Sequence, residues 1–89
     1  MKVKLELFGA SRDFSDKDYL EFEVKDKASL EDLRNEIIKY LNKNFKGNEN
    51  FIKVVKSSAF SSENNVIIND NYKITKDQKI SIIPPIGGG

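Results

Sequence analysis

The 89-residue sequence combines 38% hydrophobic with 33% charged residues at a formal net charge of +1, which is typical of one small soluble domain. The charges are interspersed and no apolar run approaches the roughly 18 residues of a membrane span, so we expect neither nucleic acid nor a membrane as a partner. The lack of cysteine and histidine excludes disulfides, thiolate nucleophiles and the usual zinc, copper and haem ligands. We therefore expect a partner protein to supply any catalytic groups.

The first 24 residues predict an antiparallel hairpin. Two strands are indicated by apolar residues at every second position: Val3, Leu5, Leu7, Leu20, Phe22 and Val24. Residues 9–18 are small and turn-prone, which predicts a long loop with Phe14 folded back onto the core. The amino terminus lacks the apolar segment of a signal peptide, so we expect a cytoplasmic protein.

One amphipathic helix follows. Ser29 is placed to cap it, with Asp32 in the capping-box position. The apolar stripe recurs at spacings of three and four, through Leu30, Leu33, Ile37, Leu41 and Phe45. Gly47 is suited to the left-handed position that ends a helix. The pattern predicts about four turns that bury one face.

Three lysines lie toward the carboxyl end of this helix: Lys39, Lys43 and Lys46. We favour the interpretation that they compensate the helix dipole and face solvent. The alternative interpretation is a docking patch for an acidic partner.

Short strands complete the domain. We predict one strand within residues 54–60, another over 66–68 and a last one over 79–83, with Tyr72 and Ile74 in the core. The fold class is α+β: a mixed sheet of four to five strands with one main helix across one face. A right-handed crossover places the last strand parallel to the first, in the centre of the sheet.

The domain over residues 1–83 is followed by an extended tail, residues 84–89. Pro84 and Pro85 stop the strand, because proline lacks a backbone N–H. After Ile86 the sequence has three glycines, Gly87, Gly88 and Gly89, whose missing side chains allow passage through a narrow slot. A disordered end of no function is the alternative interpretation.

The order of elements resembles the ubiquitin-like β-grasp fold, and in particular its sulfur-carrier branch, the MoaD/ThiS family. Two stretches resemble the small subunits of molybdopterin synthase: the Pro-Pro, aliphatic, Gly-Gly ending over 82–89, and the first-strand exit over 7–13, which contains Arg12. Lys76-Asp77-Gln78-Lys79 replaces the acidic turn usual before the last strand, and the middle of the chain, residues 57–71, is longer than the usual hairpin.

The resemblance implies a function as a carried substrate. An E1-like (MoeB-like) adenylyltransferase would use ATP to adenylate Gly89, and a sulfurtransferase or cysteine desulfurase would convert it to a thiocarboxylate. The tail would then enter the large subunit (MoaE) and donate sulfur to cyclic pyranopterin monophosphate. No permanently bound cofactor and no metal are implied.

The resemblance also implies roles for particular residues. Gly89 is the reacting group, while Pro84, Pro85, Ile86, Gly87 and Gly88 insert the tail and bind the partner. A partner surface on the sheet is expected near Phe8, Arg12 and Ile82, although a core position for Ile82 is the competing interpretation.

Four other functions stay open. The chain can carry sulfur for thiamine, cysteine or tRNA thiolation, or be a ubiquitin-like modifier joined to lysines through Gly89. It can also be a non-covalent binding module with an inert tail. An enzyme with its own active site is the least favoured, because the acidic residues fall at exposed strand and helix positions.

Overall fold

The computed structural model describes residues 1–85, which form seven strands and two α-helices. In chain order the elements are β1 (Lys2–Leu7), a 3-10 turn (Gly9–Phe14), β2 (Tyr19–Glu23), β3 (Ala28–Ser29), α1 (Leu30–Asn44), α2 (Glu49–Ser57), β4 (Ala59–Ser61), β5 (Ile67–Ile68), β6 (Lys73–Ile74) and β7 (Gln78–Ile83).

Five strands form one mixed sheet in the order β2-β1-β7-β4-β5. The predicted hairpin is confirmed, with Val3 of β1 opposite Phe22 of β2 in an antiparallel pair. The predicted central, parallel position of the last strand is also confirmed, with Leu5 beside Ile80. The sheet is completed by β4 antiparallel to β7 and by β5 at the edge. A separate two-stranded sheet joins β3 to β6, which the sequence pattern did not predict.

The core lies between the five-stranded sheet and the helices. Its largest fully buried side chains are Phe14, Phe60, Leu5, Leu7, Leu30, Leu33, Ile37, Leu41, Ile74, Ile80, Ile82 and Val3. Burying a side chain of this size stabilises the fold by about 1.5–3 kcal/mol. Ile74 is thus in the core as predicted, while Tyr72 is half-buried. No helix within residues 1–85 is both long enough and apolar enough to cross a membrane.

The predicted capping box of α1 is confirmed. The Asp32 N–H donates to Ser29 Oγ at 3.1 Å, and the Ser29 N–H donates to Asp32 Oδ2 at 3.0 Å. The hydrogen bond from the Ser29 N–H, and to a smaller extent the Ser29 hydroxyl, hold the pKa of the Asp32 carboxyl below its ordinary value. Past the end of α1, Lys46 and Gly47 both take left-handed backbone, with φ of 53° and 71°.

The prediction of a strand within residues 54–60 is wrong for most of that range. Residues 49–57 form α2, and only Ala59–Ser61 is a strand. The side chain of Asn48 accepts hydrogen bonds from the N–H groups of Asn50 and Phe51, which caps the helix. Phe51 and Val55, one helical turn apart, then face the core, because residues four positions apart share one side of a helix.

The predicted loop after β1 contains a 3-10 turn that anchors Phe14. Phe14 is fully buried, as predicted, and its ring packs on Phe51 at a centroid distance of 5.1 Å. The Tyr40 hydroxyl donates to the Phe14 carbonyl at 2.7 Å. Burial of Tyr40, with a smaller effect of the Asp16 charge, raises the pKa of this phenol, so it remains a donor.

Candidate functional site

The candidate site is the point where β7 ends and the tail, residues 84–89, begins. The last ladder pair on the β4 side joins Ile83 to Ala59. Pro84 and Pro85 follow without strand structure. Because neither proline has a backbone N–H, neither can donate a further ladder hydrogen bond, so the sheet releases the chain here.

Gly9, the first residue of the 3-10 turn, lies against the start of the tail. Its φ is +55°, and a Cβ built on it would lie 3.8 Å from Cγ and 3.9 Å from Cδ of Pro84. These are van der Waals distances, so the Gly9 backbone is close to the proline ring. Left-handed backbone costs most L-residues about 1–2 kcal/mol, which glycine avoids. Gly9 therefore lets the chain turn beside Pro84 without strain.

Ser11 fixes this turn from inside. It is fully buried, and its hydroxyl both accepts from the Phe8 N–H at 2.9 Å and donates to the Phe8 carbonyl at 2.7 Å. Two hydrogen bonds to one residue restrict how the end of β1 can rotate. The backbone of Phe8, next to Gly9, is thus held in place beside the tail.

Phe8 and Ile83 form an exposed apolar pair on the face of the sheet opposite the helices. Phe8 is 46% exposed and Ile83 is 39% exposed. Each directly follows the last registered pair of the parallel strands, Leu7 beside Ile82, so they are neighbours on one face. Lower on this face the side chains are charged, including an ion pair of 3.1 Å between Glu6 and Lys79. Phe8 and Ile83 are therefore the exposed apolar residues beside the tail, whereas Val66 and Ile67, 58% and 62% exposed, lie at or next to the edge strand β5.

The interpretation of Ile82 as part of a partner surface is wrong. Ile82 is fully buried and faces the helices, so its core interpretation holds. Ile83 is the exposed residue instead, because successive side chains of a strand point to opposite faces. The alternation of Ile80 and Ile82 as inward residues is the sequence signal that could have identified Ile83.

Of the other predicted site residues, Arg12 lies within the described part of the chain and the last four residues of the tail lie outside it. Arg12 is exposed on the 3-10 turn and has no ion pair with any residue in the range 1–85. Gly9 was not predicted as a site residue, although a glycine directly after a strand is a recognisable turn signal. Ile86, Gly87, Gly88 and Gly89 lie outside the described residues.

Two titratable groups among the described residues have shifted pKa values, and both have structural roles. The lowered pKa of Asp32 comes from helix capping, and the raised pKa of Tyr40 comes from burial. Within residues 1–85 no three carboxylates converge to hold a metal ion. The chemistry available near the tail is therefore that of an exposed apolar surface and an emerging backbone.

A surface groove of about 870 Å³ lies away from the tail, between the loop after β2 and the first turns of α1. Its lining mixes both signs of charge, with Asp26, Lys27, Asp32 and Glu36 among the residues. Size alone would favour this groove as a site. We favour the tail end, because the groove has no converging groups of one chemistry.

Three solved structures share the architecture of this chain. A protein described as molybdopterin converting factor, subunit 1, from Pyrococcus furiosus superposes with a TM-score of 0.71 at 23% identity, covering 96% of this chain and 98% of its own. SAMP1 from Haloferax volcanii gives a TM-score of 0.70 at 13% identity, with all of both chains covered. A Caldiarchaeum subterraneum ubiquitin gives 0.62 at 17% identity, covering 100% of this chain and 98% of its own.

No protein-family model matches the sequence, and a search of curated proteins gives no match either. At identities of 13–23% the three structures establish the architecture and not the activity. The five-stranded mixed sheet with α1 across one face is the ubiquitin-like β-grasp fold.

Proposed function

We propose that this chain is a sulfur-carrier protein of molybdenum cofactor biosynthesis, in which Gly89 carries sulfur as a thiocarboxylate. The observation that carries the proposal is the start of the tail. Pro84 leaves the central strand of the sheet against Gly9, beside the exposed side chains of Phe8 and Ile83. The fold shared with a molybdopterin converting factor subunit supports the same assignment.

The proposed reaction begins with activation of the Gly89 carboxylate, which is by itself a poor electrophile. An E1-like (MoeB-like) adenylyltransferase joins the carboxylate to the AMP part of ATP and releases pyrophosphate. A persulfide sulfur from a sulfurtransferase or cysteine desulfurase displaces AMP, and a thiol then reduces the acyl disulfide to the thiocarboxylate. Glycine at this position leaves the carbonyl unhindered in both displacements.

Transfer takes place in a complex with the large subunit of molybdopterin synthase (MoaE). The thiocarboxylate sulfur attacks a carbon of cyclic pyranopterin monophosphate and displaces an oxygen substituent from that carbon. Water then cleaves the acyl C–S bond of the resulting thioester, which returns the Gly89 carboxylate and leaves the sulfur on the pterin. This chain supplies the sulfur and the large subunit supplies the active site. ATP is consumed by the activating enzyme in the cytoplasm, so the carrier holds no permanent cofactor.

The tail geometry suits this role for two reasons. Residues 84–89, if extended, reach roughly 20 Å at 3.3–3.6 Å per residue, which is enough to enter a neighbouring active site. Pro84 and Pro85 restrict the free chain, so less conformational entropy is lost when the tail is bound. Ile86, Gly87 and Gly88 then occupy the narrow part of the partner's channel.

The apolar pair of Phe8 and Ile83 provides the second contact. Docking removes apolar surface from water, which stabilises a complex by about 25 cal/mol for each Å² buried. Aromatic residues are common anchors in interfaces. Because the pair lies beside Pro84, one partner can hold the face and the tail together. Arg12, exposed on the neighbouring 3-10 turn, is placed to contact the rim of such a partner.

A ubiquitin-like modifier is the second candidate function. The similarity to a ubiquitin, with nearly all of both chains covered, favours it, because ubiquitin-like modifiers are activated at a terminal glycine and then joined to lysine. A carrier for thiamine, cysteine or tRNA thiolation uses the same activation with a different acceptor.

Intact-mass spectrometry tests the proposal. The chain is incubated with ATP, an E1-like adenylyltransferase and a sulfur source, beside a matched chain that lacks Gly88 and Gly89. We expect a gain equal to the exchange of one oxygen for one sulfur, located at Gly89 and absent from the shortened chain. Addition of the large subunit and cyclic pyranopterin monophosphate should return the original mass.

Other outcomes separate the alternatives. Thiocarboxylate that the large subunit does not consume would reject the molybdenum cofactor acceptor and leave a carrier of another pathway. Isopeptide adducts between Gly89 and lysines, without a thiocarboxylate, would identify a modifier. No change of mass, with a control carrier activated in the same mixture, would refute activation of Gly89 by this enzyme and leave a different activating enzyme, a modifier or an inert binding module.

A further inference from the structure

Four lysines cover the end of α1, the turn after it and the outer side of α2. The lysine surface, as we call it, consists of Lys43, Lys46, Lys53 and Lys56, all exposed. None of them forms an ion pair with any residue in the range 1–85. Lys39, which belongs to the same sequence cluster, pairs with Glu36 at 3.5 Å and is not included.

Helix-dipole compensation accounts for only half of the lysine surface. Lys43 lies in the last turn of α1 and Lys56 in the last turn of α2, where a cation is favoured. Lys46 lies beyond the end of α1, with a φ of 53°, and Lys53 lies in the middle of α2. The helix dipole therefore does not explain the positive charge at these two positions.

The charges of the chain are divided by region, although the net charge is small. Residues 37–58 contain five lysines and one acidic residue, Glu49. Residues 13–36 contain nine acidic and four basic residues. Such a division makes the potential positive near α2 and negative near β2, which orients an incoming charged partner.

The lysine surface borders the end of the molecule from which the tail leaves. Ser58 follows α2, and Ala59 then pairs with Ile83, directly before Pro84. Lys56 is three residues before Ala59, so their Cα atoms are at most about 10 Å apart. At its other end α2 contacts the 3-10 turn, where the rings of Phe51 and Phe14 pack.

The helix that carries Lys53 and Lys56 is firmly held. Val55, on its inner side, is fully buried. Arg34 of α1 donates from Nη1 to the carbonyl of Val55 at 2.7 Å and to that of Ser58 at 3.2 Å. The two lysines are therefore presented on a fixed element, opposite the buried side.

We propose that the lysine surface docks an acidic protein surface, located beside the channel that accepts the tail. The inference rests on the proposed function, because it identifies this surface with the tail-accepting partner. A protein that encloses the tail as far as Pro84 comes near Lys56, and Lys53 lies about one helical turn before it in α2. Acidic side chains there speed encounter and orient the tail toward the channel.

The test reverses charge at two matched pairs of exposed lysines. Lys53→Glu/Lys56→Glu changes the lysine surface, and Lys25→Glu/Lys73→Glu makes the same charge change at the opposite end of the molecule. Stopped-flow measurement gives the association rate constant of each full-length variant with the E1-like enzyme and with the synthase large subunit. Circular dichroism checks folding, and Lys53→Gln/Lys56→Gln replaces the first pair if it does not fold.

At low salt we expect the Lys53/Lys56 pair to lower the association rate constant about tenfold or more with at least one partner. The control pair should change it less than twofold. The difference should disappear at about 0.5 M salt, where exposed charges are screened. Equal effects of the two pairs on the association rate constant, or no effect at low salt, would overturn the proposal for the lysine surface. If the same variants still formed the thiocarboxylate normally, the proposed function would stand.

A partner-free measurement covers the case in which the chain binds neither enzyme. A short polyglutamate peptide is titrated into the labelled chain and followed by amide chemical shifts. Saturable shifts at Lys53 and Lys56, and not at Lys25 and Lys73, would support the acidic-protein surface although the proposed function had failed. Shifts without this preference, or tighter binding of an RNA oligonucleotide of equal charge, would reject it.

Discussion

The two ends of the central strand β7 differ in the contacts that the rest of the domain makes with them. At its start, Gln78 is buried, its Oε1 accepts from the Tyr72 hydroxyl at 2.7 Å and its Nε2 donates to the Lys76 carbonyl at 3.0 Å. At its end, Ile83 is 39% exposed and Pro84 has no N–H to pair. One end is closed by polar contacts within the domain, and the other leaves apolar surface uncovered.

The closed end continues into the first turn of α1. The Leu30 N–H donates to the Tyr72 carbonyl at 2.9 Å, beside the capping box of Ser29 and Asp32. These contacts hold the strand at one end, so the direction in which it leaves at the other end is fixed. The difference teaches that the start of the strand is closed by polar contacts within the domain, whereas the tail end leaves apolar surface where a partner can approach.

The largest expected effect is at the open end. Deletion of Gly88 and Gly89 should abolish thiocarboxylate formation, because the reacting carbonyl would then belong to a different position of the tail. The free energy of unfolding should change by less than about 0.5 kcal/mol, since β7 ends at Ile83. Mass spectrometry and urea unfolding measure the two quantities. A shortened chain that still acquires sulfur would contradict the prediction.

Two adjacent isoleucines of β7 test whether its buried face stabilises the fold and its exposed face binds a partner. Ile82→Ala should lower the free energy of unfolding by about 2–5 kcal/mol, because Ile82 is fully buried. Ile83→Ala should cost less than about 1 kcal/mol and instead weaken binding of the large subunit about tenfold, as expected of an interface anchor. Urea unfolding and titration calorimetry measure both variants. Equal losses of stability would show that the two faces are not distinct.

Arg34 connects the two ends and should give the next largest effect. Arg34→Met should lower the free energy of unfolding by about 1–3 kcal/mol, because the carbonyls of Val55 and Ser58 lose their donor. The Arg34–Asp70 ion pair at 2.8 Å adds less, since half of the Asp70 side chain is exposed.

Lys39→Met is the matched control for Arg34, because it removes an exposed pair with Glu36 from the same helix. We expect a change within about 0.5 kcal/mol in thermal or urea unfolding. A loss as large as that of Arg34→Met would refute the role given to the two carbonyls.

Apart from the Lys39 control, the smallest effect is expected at the helix cap. Ser29→Ala should lower the free energy of unfolding by about 1 kcal/mol at neutral pH. The pKa of Asp32 is lowered in the fold by its hydrogen bonds with Ser29, so this stabilisation is present above the unfolded pKa of about 4 and is lost as the pH falls through the folded pKa. Ser29→Ala removes the hydroxyl but keeps the Ser29 N–H, which lowers the pKa of Asp32 most, so urea unfolding between pH 7 and 2 should depend only slightly less on pH in the variant. Complete loss of the pH dependence would contradict this origin of the shift.

Residues with strict periodicity were predictable from the sequence. Val3, Leu5 and Leu7 alternate with charges and are all buried, and the capping box of Ser29 and Asp32 forms as its spacing predicts. Such features are local, because the choice of which strand side chains face the core, and the capping of a helix, depend on residues only a few positions apart.

The segment 49–57 shows where local patterns were insufficient. Phe51-Ile52 and Val54-Val55 fit neither a strand nor a helix clearly, because short apolar runs are compatible with both. The helix is stabilised by the Asn48 cap, by the ring of Phe14 and by Arg34. Two of these three contacts come from distant parts of the sequence, so periodicity could not reveal them.

The sequence by itself determined the β-grasp order of strands and α1, the capped helix and the Pro-Pro-Ile-Gly-Gly-Gly ending. The tertiary structure alone decided that Ile83 and not Ile82 faces the open side, that Gly9 lies against Pro84, and that α2 carries its lysines to the tail end. The physical reason is that periodicity and capping act within a few residues. Exposure at the tail depends on strand register and on packing between residues more than seventy positions apart.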